Sequence, residues 1–218
     1  KKFNFKPRII GFHGQTILHK PKEKCSIQMG NAQLLSQLLK KDVIYNFRKK
    51  DIENGGDGAP LAPIFHKFIK KKINIKDPIV ILNIGGIANF TYINNQNFLA
   101  KDVGPGNCLM DLYLKKIKNI DFDKDGIIAA SGKIDNSLIN TILDHEYFNS
   151  KNKHSLDIKD FDINFVKGLS IEDALANLNF FSAKLIVENL KKELGSNFKI
   201  ILCGGGRKNK TLVLNLKK

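Results

Sequence analysis

Three glycine clusters, each directly behind a run that reads as a β-strand, constrain this chain more than any other feature. They are Gly85-Gly86 after residues 79–84, Gly104-Pro105-Gly106 after 98–102, and Gly204-Gly205-Gly206 after 199–203. Strands alternating with helical periodicity give an α/β architecture, in which ligands bind beyond the carboxyl ends of the strands. Glycine lets a backbone N–H reach a phosphate oxygen with no Cβ in the way, and a helix starting behind such a turn adds a favourable dipole. One cluster alone is a tight turn. Three at strand ends point to a phosphate or nucleotide site.

The remaining pattern agrees with that class. Residues 8–12 read as a short strand centred on Ile9 and Ile10, running into a polar turn, His13-Gly14-Gln15-Thr16. Asn31 is placed to cap a helix in which Leu34, Leu35, Leu38 and Leu39 repeat at helical spacing through Lys41. Residues 42–47 then read as a strand, with Arg48 and Asp51 at its end before a loop containing Gly55, Gly56 and Gly58. Residues 64–72 read as a helix. The polar break at 74–78 is the expected domain boundary, dividing the chain into 1–76 and 77–218. Gly85-Gly86 between the apolar runs 79–84 and 88–93 signals a hairpin, and 94–97 a second turn. A helix should follow Asn107, with Leu109, Met110, Tyr113, Leu114 and Ile117 on one side. Ser170 with Asp173 forms a variant capping box for a long helix that Gly195 stops. Residues 149–162 are polar and read as a loop.

Composition narrows the partners. The net charge is +15, from 36 Lys+Arg against 21 Asp+Glu. The lysines are dispersed, and the densest groups, Lys70-Lys71-Lys72 and Arg48-Lys49-Lys50, lack the interleaved aromatics of a stacking platform. This reads as a solvated surface rather than a nucleic-acid footprint. Cys25, Cys108 and Cys203 form no C-x-x-C pair, which suits a reducing compartment. No apolar run reaches the ~18 residues of a membrane span, and the basic start lacks the apolar core of a signal peptide. A cytoplasmic protein is expected.

Asp102 is the leading candidate for chemistry. A carboxylate ending a strand before a glycine turn can face the same cleft as a phosphate and act as general base, although a solvated strand-end Asp is the ordinary alternative. Asp51 is placed similarly between Arg48 and the glycine loop, with a surface ion pair as its alternative. His13 suits either hydrogen bonding to a sugar or carboxylate, or capping its own turn. The other histidines, His19, His66, His145 and His154, show no ligand spacing, so no metal-binding residues are assigned. Asp121-Phe122-Asp123-Lys124-Asp125-Gly126 mimics the opening of an EF-hand loop, but Gly132 stands where the bidentate Glu is needed. Neither a Walker-type phosphate loop, nor a dinucleotide fingerprint, nor a protein-kinase catalytic loop is present.

Taken together, the segments resemble one family. Residues 10–16 resemble its "IGSHGQT", 28–31 its "QIGN", 46–51 its "DFRRRD" with Asn46 where the family often has Asp, 55–61 its "GGQGAPL", 82–89 its "LNIGGIAN", 102–111 its "DTGPGNxLMD" and 202–206 its "VCGGG". The family is anhydro-N-acetylmuramic acid kinase. The resemblance implies an α/β fold of the actin-like ATPase (ribonuclease H-like) type with two domains. That fold is expected to be incomplete here, because the family's first phosphate loop, "GxMSGTSxDG", and its carboxy-terminal helices have no counterpart. It implies ATP and Mg²⁺ as cofactors and a small amino sugar as partner, in a cytoplasmic protein and possible homodimer with no nucleic-acid or membrane partner. Asp102 becomes the base. His13, Gln15, Arg48 and Asp51 shape the sugar side. Gly85, Gly86, Asn89, Gly104, Gly106, Asn107, Gly204, Gly205 and Gly206 serve the nucleotide. The alternative is a non-catalytic actin-like module that binds nucleotide as a switch.

Overall fold

A computed structural model describes residues 7–76, 78–95, 97–143 and 161–218. Most of the loop expected at 149–162, together with His145 and His154, lies outside these residues. The chain divides into two compact units with the break between Phe65 and His66.

The first unit opens with β1 (Ile9–Gly11), followed by β2 (Gln15–Lys20), β3 (Cys25–Met29), α1 (Ala32–Leu39), β4 (Asp42–Ile44) and α2 (Lys49–Glu53). β1 and β4 pair in parallel, the strand–helix–strand order expected from the sequence. β2 and β3 form an antiparallel hairpin that the sequence reading missed. Gln15 and Thr16, expected in a turn, therefore open a strand. Asn31 caps α1 as expected, its Oδ1 accepting from the Leu34 N–H at 2.9 Å, and Lys40 at φ 50° ends the helix. Arg48 to Asp51 also departs from expectation: the strand stops at Ile44, and α2 carries Asp51.

α3 (Ala62–Ile73) runs across the break. The second unit continues with β5 (Ile79–Ile84), β6 (Ile87–Asn94), β7 (Asn97–Pro105), α4 (Cys108–Lys118), α5 (Ile127–Ser131), α6 (Asn136–Leu143), α7 (Ile171–Leu194), β8 (Lys199–Cys203) and α8 (Lys210–Asn215). The four strands form one sheet in the order β7-β6-β5-β8, in which β8 is parallel to β5 and the remaining pairs are antiparallel. The carboxyl ends of β5, β7 and β8 consequently lie at one edge.

Strand alternation splits the apolar residues between the two sheet faces. Val80, Leu82, Ile84, Ala88 and Phe90 belong to the main core with Leu109, Met110 and Leu114 of α4 and Leu178, Phe181, Leu185 and Ile186 of α7. Ile79, Ile81 and Ile93 form a smaller cluster with Ile75, Ile201 and Cys203. Ser170 caps α7, its Oγ accepting from the Asp173 N–H at 3.1 Å, and the Asp173 carboxylate accepts from the Lys133 N–H at 2.7 Å, tying the helix start to the α5–α6 connection.

Candidate functional site

Each unit carries its own polar group. In the first, His13 Nδ1 lies 2.8 Å from the Gly14 carbonyl, and Arg48 Nε donates to His13 Nε2 at 3.0 Å. An accepting Nε2 requires the proton on Nδ1, so the Gly14 contact fixes the tautomer. The Asp51 carboxylate accepts from the Gly58 N–H at 2.7 Å, and Arg48 Nη1 reaches the Gly58 carbonyl at 3.5 Å. No ion pair joins Arg48 to Asp51. Both instead hold the backbone of Gly58 in the glycine loop, one at its carbonyl and one at its N–H. Gln15 stands apart, exposed, with its amide 3.5 Å from the Thr16 carbonyl.

In the second unit, the three glycine clusters meet at the shared sheet edge. The amides of Gly106, Asn107 and Cys108 donate to the carbonyls of Gly86, Gly85 and Gly86 at 2.7, 2.9 and 3.2 Å. These are the amides at the start of α4 that the sequence reading offers to phosphate, and here they carry the hairpin. A Cβ on Gly106 would strike the Gly85 carbonyl. Gly204, at φ +80°, fits beside the Ile84 carbonyl and the Asn83 side chain. Glycine is required at these two positions because segments pack on one another. Gly205, by contrast, faces open space.

β7 does not end at Asp102. It continues through Gly104 and Pro105, with a register shift opposite Ala88 and Asn89. Asp102 is therefore an interior strand residue, half-buried and directly opposite Asn89. Asn89 is opposite Asn83, and Asn83 opposite Cys203. Directly opposed residues share a face, so Asp102, Asn89, Asn83 and Cys203 form a transverse polar row on the face away from α4 and α7. Burial pushes the Cys203 thiol up. Its Sγ lies 3.7 Å from Asn83 Oδ1. The row thus holds one carboxylate, two amides and a neutral thiol. Deeper on the same face, buried Thr91 bonds His66 Nδ1 at 2.8 Å, and burial lowers that histidine's pKa.

Over the other side of the edge opens a cavity of about 460 Å³, lined by Asn107, Met110, Asp111, Asp123, Gly205 and Asn209 among others. Asp123 is 6% exposed. Its two oxygens accept from the Ile128 and Ala129 amides, each at 3.0 Å, so it caps α5. The Asp111 carboxyl is pushed up to about 6, first by burial and then by the charge of Asp123. Sequence reasoning missed this cavity. Its signals were split between an EF-hand mimic at 121–126, the tail of the "LMD" segment and residues just beyond the last glycine cluster. Among the described residues no group of three or more His, Cys, Asp or Glu could hold a metal ion, and no helix is long and apolar enough to cross a membrane.

The structure is thus of the open-sheet α/β class, with glycine segments, a carboxylate and a cavity gathered where β5, β7 and β8 end. The chain belongs to the anhydro-N-acetylmuramic acid kinase family, whose profile matches residues 4–218. The protein of that name from Pelagibacter ubique is 46% identical over 218 residues, covering 96% of this chain and 58% of the relative. The one from Zymomonas mobilis is 38% identical, covering 94% and 56%. The chain thus spans little more than half the length of these relatives. Component A of the (R)-2-hydroxyglutaryl-CoA dehydratase of Acidaminococcus fermentans aligns over 91% of this chain at 13% identity and a TM-score of 0.44, too slight a likeness to carry an argument.

Proposed function

We propose that this sequence is part of an ATP-dependent kinase that phosphorylates 1,6-anhydro-N-acetylmuramic acid, on an actin-like two-domain fold. The observation that supports this best is the placement of Asp102 on one side of an edge where three glycine segments converge, with a cavity on the other side. The nucleoside end takes the cavity beside Gly205 and Asn107. The phosphates lie along the Gly85-Gly86 edge, towards the polar row.

In this reading Asp102 takes a proton from a water molecule that attacks the anomeric carbon. The C1–O6 bond of the anhydro bridge breaks, and the released O6 attacks the γ-phosphorus of ATP, displacing ADP and giving N-acetylmuramic acid 6-phosphate. Arg48, His13 and Asp51, preorganised with the glycine loop, bind the sugar, and Gln15 adds a further contact. Most of the acceleration comes from positioning and charge neutralisation. Mg²⁺ is usually held by phosphates and one or two carboxylates, with waters completing its shell. In this reading the ion would accompany ATP, held chiefly by its phosphates and waters and neutralising charge on the terminal phosphates; Asp102, the row's one carboxylate, serves as the base and not as its ligand. The partners are small molecules, and the compartment is the cytoplasm.

In the full polypeptide that carries this sequence, Asp102→Asn is expected to lower sugar phosphorylation by at least about a hundredfold, the minimum usually lost with a general base. ATP binding by calorimetry should persist. Equal turnover by both proteins would remove Asp102 from the chemistry.

A further inference from the structure

Behind the cavity lies a polar cluster that the proposed chemistry does not use. Asn179 sits in the first half of α7, fully buried, with Leu175, Leu178 and Phe181 among its buried neighbours on the helix. An amide in such a place is costly unless its hydrogen bonds are met. Here they are met by three residues, one from α4, one from α8 and one at the cap of α8. Asn179 Oδ1 accepts from Asn215 Nδ2 of α8 at 2.9 Å. Its Nδ2 lies 3.3 Å from Met110 Sδ of α4 and donates to Asn209 Oδ1 at 3.4 Å.

Two of those partners, Met110 and Asn209, line the cavity from different elements. Asn209 is a junction in its own right. Its Oδ1 caps α8 through the Leu212 N–H at 3.0 Å, and its backbone N–H bonds the Gly206 carbonyl at 3.0 Å, closing the turn that presents Gly205. That Oδ1 also abuts Gly126, which follows Asp125 of the lining and whose carbonyl accepts from Thr211 Oγ1 at 2.7 Å. One buried amide thus supports the α4 wall and the Gly205–Asn209 wall together. A leucine has the same branched shape, though it is larger, and it could not specify that arrangement; specifying a single packing is a known use of buried polar groups.

We propose that Asn179 is a positioning residue for nucleotide binding, setting the separation of the two cavity walls through Met110 and Asn209 without touching the ligand. This rests on the assignment of the cavity to the nucleoside end of ATP.

The test uses the full polypeptide and measures KM for ATP, KM for the anhydro sugar, kcat and thermal stability in parallel. Asn179→Leu should raise KM for ATP by about 2- to 30-fold, the range of a network coupling, with the sugar KM and kcat nearly unchanged. Asn215→Leu serves as the reference for stability, because Asn215 bonds the amide but does not line the cavity. It should lower the melting temperature comparably and leave KM for ATP within about twofold. Asn179→Ser gives the same readout if the leucine variant fails to fold. An unchanged KM for ATP in a folded Asn179 variant of reduced stability overturns the proposal, since a purely structural role predicts that outcome. ATP that fails to bind the unsubstituted protein overturns the cavity assignment itself, and that failure is visible before any variant is made.

Discussion

Asp111 and Asp123 line one cavity, and the two carboxylates are supplied unequally. Backbone amides serve both oxygens of Asp123, whereas burial and the neighbouring charge push Asp111 up to about 6. A carboxyl whose pKa is higher in the folded than in the unfolded chain binds its proton more tightly when folded. Its stabilising share is fully present below about pH 4 and is lost as the pH rises through about 6. Asp111→Asn should therefore stabilise the ligand-free protein at pH 7.5, by about 1 kcal/mol once its partial exposure is discounted. It should change little at pH 4. Melting curves at the two pH values check this, and an equal effect at both would contradict the assigned cause.

At the scale of elements, α7 organises the second unit. It is the longest helix among the described residues, and its first turn is fixed at two points, Ser170 Oγ on the Asp173 N–H and the Asp173 carboxylate on the Lys133 N–H. Ser170→Ala should cost about 1 kcal/mol, the usual worth of an N-cap, read as a shift in the denaturant midpoint with an unchanged slope. Ser170 and Gly195 were legible in the sequence because caps are local chemistry, and so was β5, an apolar run stopped by Gly85-Gly86. β7 was cut short at Asp102 because glycine and proline read as stops. The strand nevertheless runs on to Pro105, a residue that an edge strand tolerates. The β2–β3 hairpin was missed because neither strand alternates cleanly between buried and exposed residues. The cavity escaped for a different reason. Its walls come from positions near 107–125 and 205–209, and no periodicity links segments so far apart.

For the molecule as a whole, burial is uneven. In the first unit the described buried hydrophobic residues are Ala32, Ile52 and Pro63, while Ile17, Met29 and Leu38 are each more than 60% exposed. The second unit holds nearly all the apolar core. Protection from amide exchange follows buried contacts and closed hydrogen bonds. In the 218-residue chain, amides of β1 to β4 should exchange at least about a hundredfold faster than those of β5, β6 and the middle of α7. Mass-resolved exchange would show it, and uniform protection across both units would contradict it.

The sheet order also has a consequence during synthesis. β8 completes the sheet from far down the chain, Cys203 meeting Asn83 across a separation of 120 residues. Until that late segment leaves the ribosome, one flank of β5 is a row of unpaired backbone N–H and C=O groups carrying apolar side chains. Such late, non-local closure is slow, and it exposes an adhesive margin in the meantime. A nascent chain stalled before Lys199 would present Ile79 and Ile81 to any neighbouring strand, which makes β8 the segment that ends the vulnerable stage.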